Sequence, residues 1–214
     1  CLDSCFALAS SLFFLQIGFW YIVNIFPTFS WKGYTMDALM LDVRAIGGLT
    51  DDELFALCTS NKMLRIERTP KGEIMLLHPT GGESGRHNAD IVTDLNLWVR
   101  RTKLGIAFES STGFHLPNTA VRSPDAAFVC KERWEVLSEN ERRKFVPLCP
   151  DFVIELLSES DSLKATQEKM HEWMENGCHL AWLIDPFEET VHIYRQNGSE
   201  STVHGFDNTL SGED

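Results

Sequence analysis

Basic residues are scarce in this chain. Lys and Arg together number 19 against 31 Asp and Glu, a net charge of −12. That argues against a protein that coats nucleic acid through a general basic field. It does not argue against a nuclease, whose own site must be acidic to hold a divalent metal. Any contact with DNA would have to come from local groups such as Arg86, Arg100, Arg101 and Lys103, or Arg142, Arg143 and Lys144. The chain has no C-x-x-C and no His pair at zinc-finger spacing, so the common zinc motifs are absent. Its six cysteines, Cys1, Cys5, Cys58, Cys130, Cys149 and Cys178, are scattered. They read as reduced thiols of a cytoplasmic protein rather than a disulfide framework. There is no internal repeat and no low-complexity tract, and 43% apolar content is ordinary for a globular chain.

What is present falls into two parts. Residues 1–35 are unlike the rest. A mostly apolar run over 6–26, interrupted by Gln16 and Asn24, is long enough to span a bilayer. It lacks the basic start of a secretory signal, its only early charge being Asp3. A mis-assigned start, a membrane segment and a packed helix all remain open, and none of them carries chemistry. Residues 36–214 read as one domain of mixed α and β structure, which 214 residues are enough to build.

Within that domain, Thr50-Asp-Asp-Glu53 is a capping box that opens a short helix. Strands are predicted over 63–68 and 73–77, joined by a turn at Thr69-Pro-Lys-Gly72. Pro79-Thr-Gly-Gly-Glu-Ser-Gly85 reads as a glycine-rich loop entering a helix over 86–102, which carries Ile91, Leu95 and Trp98 on one stripe. The loop fits neither the P-loop nor the dinucleotide fingerprint, yet its position keeps Glu83 and His87 as candidates. Residues 106–110 and 113–116 read as a strand pair, and 131–144 as a polar helix or a helix plus loop.

The organising stretch is Pro150-Asp-Phe-Val-Ile-Glu-Leu-Leu-Ser158, an apolar strand that carries a single carboxylate, Glu155, in its middle. Burying that charge without a partner would cost several kcal/mol. Glu155 is therefore at an exposed strand end, paired with a cation, or holding a metal. Asp125, after Pro124, begins another apolar strand over 126–129. A helix over 162–176 follows Glu155 and stops at Gly177. Its apolar face is Leu163, Thr166, Met170, Trp173 and Met174, with Lys169 on one flank about 100° from the centre and Lys164 on the other at about 120°. Strands over 179–184 and 190–194 close the domain. Two carboxylates on adjacent strand ends offer hard oxygen ligands for Mg²⁺, and a nearby lysine could stabilise charge in phosphodiester hydrolysis.

Ser123-Pro-Asp125, the 150–158 strand, Gln167-Glu-Lys-Met170 and Asn176-Gly-x-x-x-x-Trp-Leu-Ile-Asp-Pro186 together resemble the Uma-two family of restriction-endonuclease-like proteins, within the PD-(D/E)XK nuclease superfamily. Pro79-Thr-Gly-Gly-Glu-Ser-Gly85 and Gly113-Phe-His-Leu-Pro-Asn118 match one branch, and the likeness covers residues 49–214. The resemblance implies a mixed central sheet flanked by helices. It implies that Asp125 and Glu155 hold Mg²⁺, with Mn²⁺ as a substitute, that Glu83 is an auxiliary ligand and that the Leu156 carbonyl could reach the metal. The superfamily's usual lysine position, two residues after the glutamate, is Leu157 here. The lysine is then matched by Lys169, with Lys164 in reserve. The implied activity is a DNA endonuclease, working as a homodimer because two strands need two centres. The other class is a non-catalytic module that binds nucleic acid or protein on a nuclease fold. In the resembled family the segment that begins at Asn208 continues further, so a closing strand or tail is expected beyond it.

Overall fold

The computed structural model describes residues 14–15, 38–207 and 210–211. In chain order they form β1 (Phe14–Leu15), β2 (Leu39–Leu41), a 3₁₀ turn (Arg44–Ile46), α1 (Asp51–Ser60), β3 (Arg65–Arg68), β4 (Ile74–Leu77), α2 (Gly82–Thr102), β5 (Gly105–Glu109), β6 (Phe114–His115), β7 (Val121–Arg122) and β8 (Ala126–Cys130). There follow α3 (Lys131–Glu135), α4 (Glu139–Arg142), β9 (Phe152–Leu156), α5 (Leu163–Glu175), β10 (Leu180–Asp185), β11 (Thr190–Arg195), β12 (Glu200–His204) and β13 (Leu210–Ser211). Nearly all of the 6–26 run lies outside the described residues. Its described part, Phe14–Leu15, pairs antiparallel with Leu210–Ser211. Among the described residues no helix is long and apolar enough to cross a membrane.

The main sheet has six strands in the order β12-β11-β10-β9-β8-β5. It is mixed, as expected: β9 and β10 run parallel and the other neighbours are antiparallel. Both faces are covered, which is why β9 is apolar at every position but Glu155. Side chains alternate across a strand. Phe152, Ile154 and Leu156 pack with Ile91, Leu95 and Trp98 of α2 on one face. Val153 and Leu157 pack with Met170 and Trp173 of α5 on the other. By the same parity Glu155 belongs to the α5 face. The expected stripe of α2 is buried; of that of α5, Met170 and Trp173 are buried, Thr166 and Met174 half-buried and Leu163 exposed.

A second, antiparallel sheet has the order β2-β4-β3-β7-β6. The chain crosses from this sheet to the main one between β7 and β8, through Ser123-Pro124-Asp125. The expected pairing of the strands near 106–110 and 113–116 is not formed. β5 pairs with β8 in the main sheet, and β6 pairs with β7 in the second. Both strands are short, and their partners are chosen by which face each can bury rather than by proximity in sequence. The capping box at Thr50 and Glu53 is closed in both directions. The glycine-rich loop is shorter than expected, because α2 starts at Gly82 with Gly81 as its N-cap. The polar segment after β8 is two short helices, the second with its own capping box at Ser138 and Glu141. The tail beyond Gln196, polar in sequence, still supplies β12 at the sheet edge.

Candidate active site

β8 and β9 are antiparallel neighbours in the register Ala126↔Ile154, Ala127↔Val153, Phe128↔Phe152. One step further along this register sets Asp125 opposite Glu155. Pro124 carries no N–H and ends the strand there, while Asp125 turns its carboxylate onto the neighbour: its Oδ2 accepts the Leu156 N–H at 2.9 Å. Its Oδ1 accepts from Asn88 Nδ2 of α2 at 3.3 Å and from Arg65 Nη1 of β3 at 3.4 Å.

Glu155 is buried in the middle of the core and is held by α5. Lys169 Nζ lies 2.8 Å from its Oε1, and Trp173 Nε1 donates to the same oxygen at 3.0 Å. Lys169 and Trp173 are four residues apart, so they share a helix face and converge on one atom. Lys164, by contrast, is 87% exposed and its described ion pair is with Glu168 at 4.0 Å. Geometry therefore brings Lys169, and not Lys164, to the carboxylates. Leu157, at the usual lysine position, is a buried core residue on the α5 face.

Glu83 is not brought to this cluster by any described contact. It is 80% exposed in the first turn of α2, with Arg86 at 3.1 Å and His87 at 4.0 Å. The residue of α2 that does reach Asp125 is Asn88, almost a turn and a half later. Gly82 already belongs to the helix, so the acidic side chain sits on its outer end rather than in a loop folded over the site.

Sequence reasoning found the β3 strand but missed its contribution to the site. Glu67 is 1% exposed and joins the cluster from the second sheet. Its Oε1 accepts the Ser123 N–H at 3.1 Å, with Lys169 Nζ at 3.5 Å and Arg65 Nη2 at 3.9 Å. Its Oε2 accepts from Arg122 Nη1 at 3.1 Å. Arg122 continues to Glu172 of α5 at 2.6 Å, and Arg65 Nη2 also donates to the Ser123 carbonyl. The signal in the sequence was the alternation Arg65-Ile66-Glu67-Arg68, which reads equally well as a strand with a solvated face.

Charge and burial act against each other here. Burial pushes the Glu155 carboxyl up, Lys169 pulls it down and the negative charge of Asp125 adds to the rise, so it stays above its ordinary value. Burial pulls Lys169 down, but Glu155 and Glu67 more than reverse this and keep its ammonium charged. Burial would raise Glu67 as well. Lys169, Arg122 and Arg65, with the Ser123 N–H, outweigh burial and hold it below the ordinary glutamate value.

The donor set suits a hard divalent cation. Asp125 and Glu155 face each other across the strand pair, and Asn88 Oδ1 beside them is a buried acceptor without a hydrogen-bond partner. No group of three or more His, Cys, Asp or Glu residues forms a metal cluster among the described residues. Two carboxylates suit Mg²⁺, which keeps several waters, better than a cation that needs an all-protein cage.

Comparison with known proteins bears on the fold and the family. Among solved structures, one with a matching fold is described as a putative nuclease belonging to DUF820, from Anabaena variabilis. The TM-score is 0.55 at 22% sequence identity, over 69% of this chain and 87% of that one. Comparison with curated proteins finds no match. The model of the Uma2 family, described as "Putative restriction endonuclease", matches residues 51–214. The match takes in β3, the 123–125 crossover, β9 and α5, and the chain therefore belongs to the Uma2 family of restriction-endonuclease-like proteins.

Proposed function

We propose that this protein is a Mg²⁺-dependent DNA endonuclease centred on Asp125, Glu155 and Lys169. One observation carries the reading. Asp125 and Glu155 stand opposite each other on neighbouring strands, and Lys169 of the next helix brings its ammonium to 2.8 Å from Glu155 Oε1. When bound, a divalent ion would lower the pKa of a water and neutralise charge on the phosphate. Asp125 and Glu155 would hold it, with Asn88 Oδ1 and, as the family resemblance implies, the Leu156 carbonyl as candidate neutral ligands. Asp125 is fixed for this by the Leu156 N–H, Asn88 and Arg65. Lys169 keeps its proton, and it can donate to a scissile phosphate oxygen or orient the attacking water. Arg65, partly exposed beside Asp125, is a second donor of the right charge for phosphate.

DNA would approach a molecule of net charge −12, so its backbone must be met by local cations. Of those expected from the sequence, Arg86, Arg143 and Lys144 are engaged with Glu83, Glu139 and Asp52. Arg142 lies over the Trp134 ring at 5.1 Å. Exposed pairs of this kind are weak and can exchange for phosphate. A homodimer would supply the two centres that a double-strand cut requires.

The test is relaxation and linearisation of plasmid DNA with Mg²⁺. The wild type is expected to cut, Asp125→Ala and Glu155→Ala to fall to background, and Lys169→Met to lose about 10²–10³-fold, as when one transition-state donor is removed. Equal cutting by wild type and both carboxylate variants would discard the assignment. A folded wild type that binds DNA without cutting it would favour the non-catalytic module instead.

A further inference from the structure

Each of the two proposed metal ligands is already engaged by a cation. Lys169 holds Glu155, and Arg65 holds Asp125 at 3.4 Å. A divalent ion between the carboxylates would have both of these positive groups as close neighbours. Like charges so placed repel strongly in a partly desolvated site. Either the cations leave the site or a second anion holds them at its edge. Glu67 is positioned to be that anion. A single oxygen, its Oε1, is within 3.5 Å of Lys169 Nζ and 3.9 Å of Arg65 Nη2. The Ser123 N–H and Arg122 anchor the carboxylate from behind, so it cannot follow the cations outward.

We propose that Glu67 is a positioning residue that takes over Lys169 and Arg65 from Glu155 and Asp125 when the divalent ion binds. This rests on the metal-dependent reading above and adds a role to a residue that touches neither ligand. The shift required is small. Lys169 Nζ closes from 3.5 Å to hydrogen-bond distance on Glu67 and gives up Glu155, staying inside the site to face a phosphate. Without the charge at position 67, Lys169 has Glu155 as its one ion-pair partner among the described residues and competes with the metal for it.

The experiment is a double-mutant cycle read by Mn²⁺ calorimetry on the full chain, with thermal melts to confirm folding. Glu67→Gln keeps the shape and an acceptor for Ser123 but removes the charge. It is expected to weaken Mn²⁺ binding about 10- to 100-fold, the usual effect of losing a group behind a metal ligand. In a Lys169→Met background the same substitution should weaken binding far less, because the competitor is gone. An equal loss in both backgrounds would mean that Glu67 acts only through its own charge on the ion, and would overturn the proposal. So would unchanged binding by folded Glu67→Gln. A crystal structure of the wild type with Mn²⁺ gives the same answer without any variant. Lys169 Nζ on Glu67 supports the proposal, and Lys169 Nζ still on Glu155 beside a bound ion refutes it. A wild type that binds no Mn²⁺ removes the metal-dependent reading and this inference together, whereas binding without the coupling removes this inference alone.

Discussion

Glu67 shows how strongly a single buried charge depends on its partners. It is almost fully buried, yet four N–H or ammonium groups, from β3, β7, α5 and the 123–125 crossover, surround it. Its carboxyl is held below the ordinary glutamate value of 4.5, against burial and through Lys169, Arg122 and Arg65. The folded state thus takes up this proton at lower pH than the unfolded chain does. The stabilisation is complete above pH 4.5 and is lost as the pH falls through the folded value. Denaturant titrations from pH 6 down to about 3 should therefore show a wild-type decline that is shallower in Glu67→Gln. Parallel curves for the two proteins would contradict the assignment of that charge. None of this is visible in Arg65-Ile66-Glu67-Arg68 taken alone, because a strand with two polar residues outward has the same pattern. Glu155 is the opposite case. Its neighbours in sequence are all apolar, so its need for a partner was legible, and the partner is the lysine of the next helix.

At the level of the elements, the site depends on how closely β5 and β8 approach. Gly105 in β5 lies opposite Cys130, and a Cβ there would clash with the Val129 carbonyl oxygen and meet the Phe128 ring at 2.5 Å. The ring packs edge-on against Trp98 of α2, with centroids 5.0 Å apart, so it has little freedom to withdraw. Gly105→Ala should cost at least about 1–3 kcal/mol of stability, the range for overpacking a core, measured by chemical denaturation. Because β8 carries Asp125 at its other end, cleavage should fall along with stability. A variant as stable as wild type would show that the two strands can separate freely there. α5 has a comparable double role. Met170 and Trp173 anchor it in the core, while Glu172 and Asn176 bond to Asn118 and Arg122 and Lys169 reaches Glu67 and Glu155. Periodicity located its apolar stripe and put Lys169 on the flank. It could not choose between the two flanks, since a helix viewed alone is symmetric about its buried face.

For the whole molecule, the second sheet brings β3 against the crossover that leads into the main sheet, so two sheets and two helices meet at one polar cluster in an apolar interior. A divalent ion bound there should stabilise the fold by mass action, by about 2.7 kcal/mol at a hundred times its dissociation constant. A melting temperature that rises with Mn²⁺ in wild type and does not move in Glu155→Gln is the expected result. A rise of equal size in both would place the ion elsewhere.

The sequence by itself determined the elements whose signals are local. The capping box at Thr50, the stop at Gly177, the apolar stripe of α2, the strand through Glu155 and the ordered motifs of the family all rest on residues close together in the chain. It also singled out Asp125, Glu155 and two candidate lysines. Only the tertiary structure decided which distant pieces meet. It paired β5 with β8 rather than with β6, directed Asn88 instead of Glu83 to Asp125, and brought Glu67 and Arg65 in from another sheet. These outcomes depend on strand register, on which face each element buries and on the partners a buried charge can reach. Such quantities are set by packing between segments far apart in sequence, where no local pattern records them.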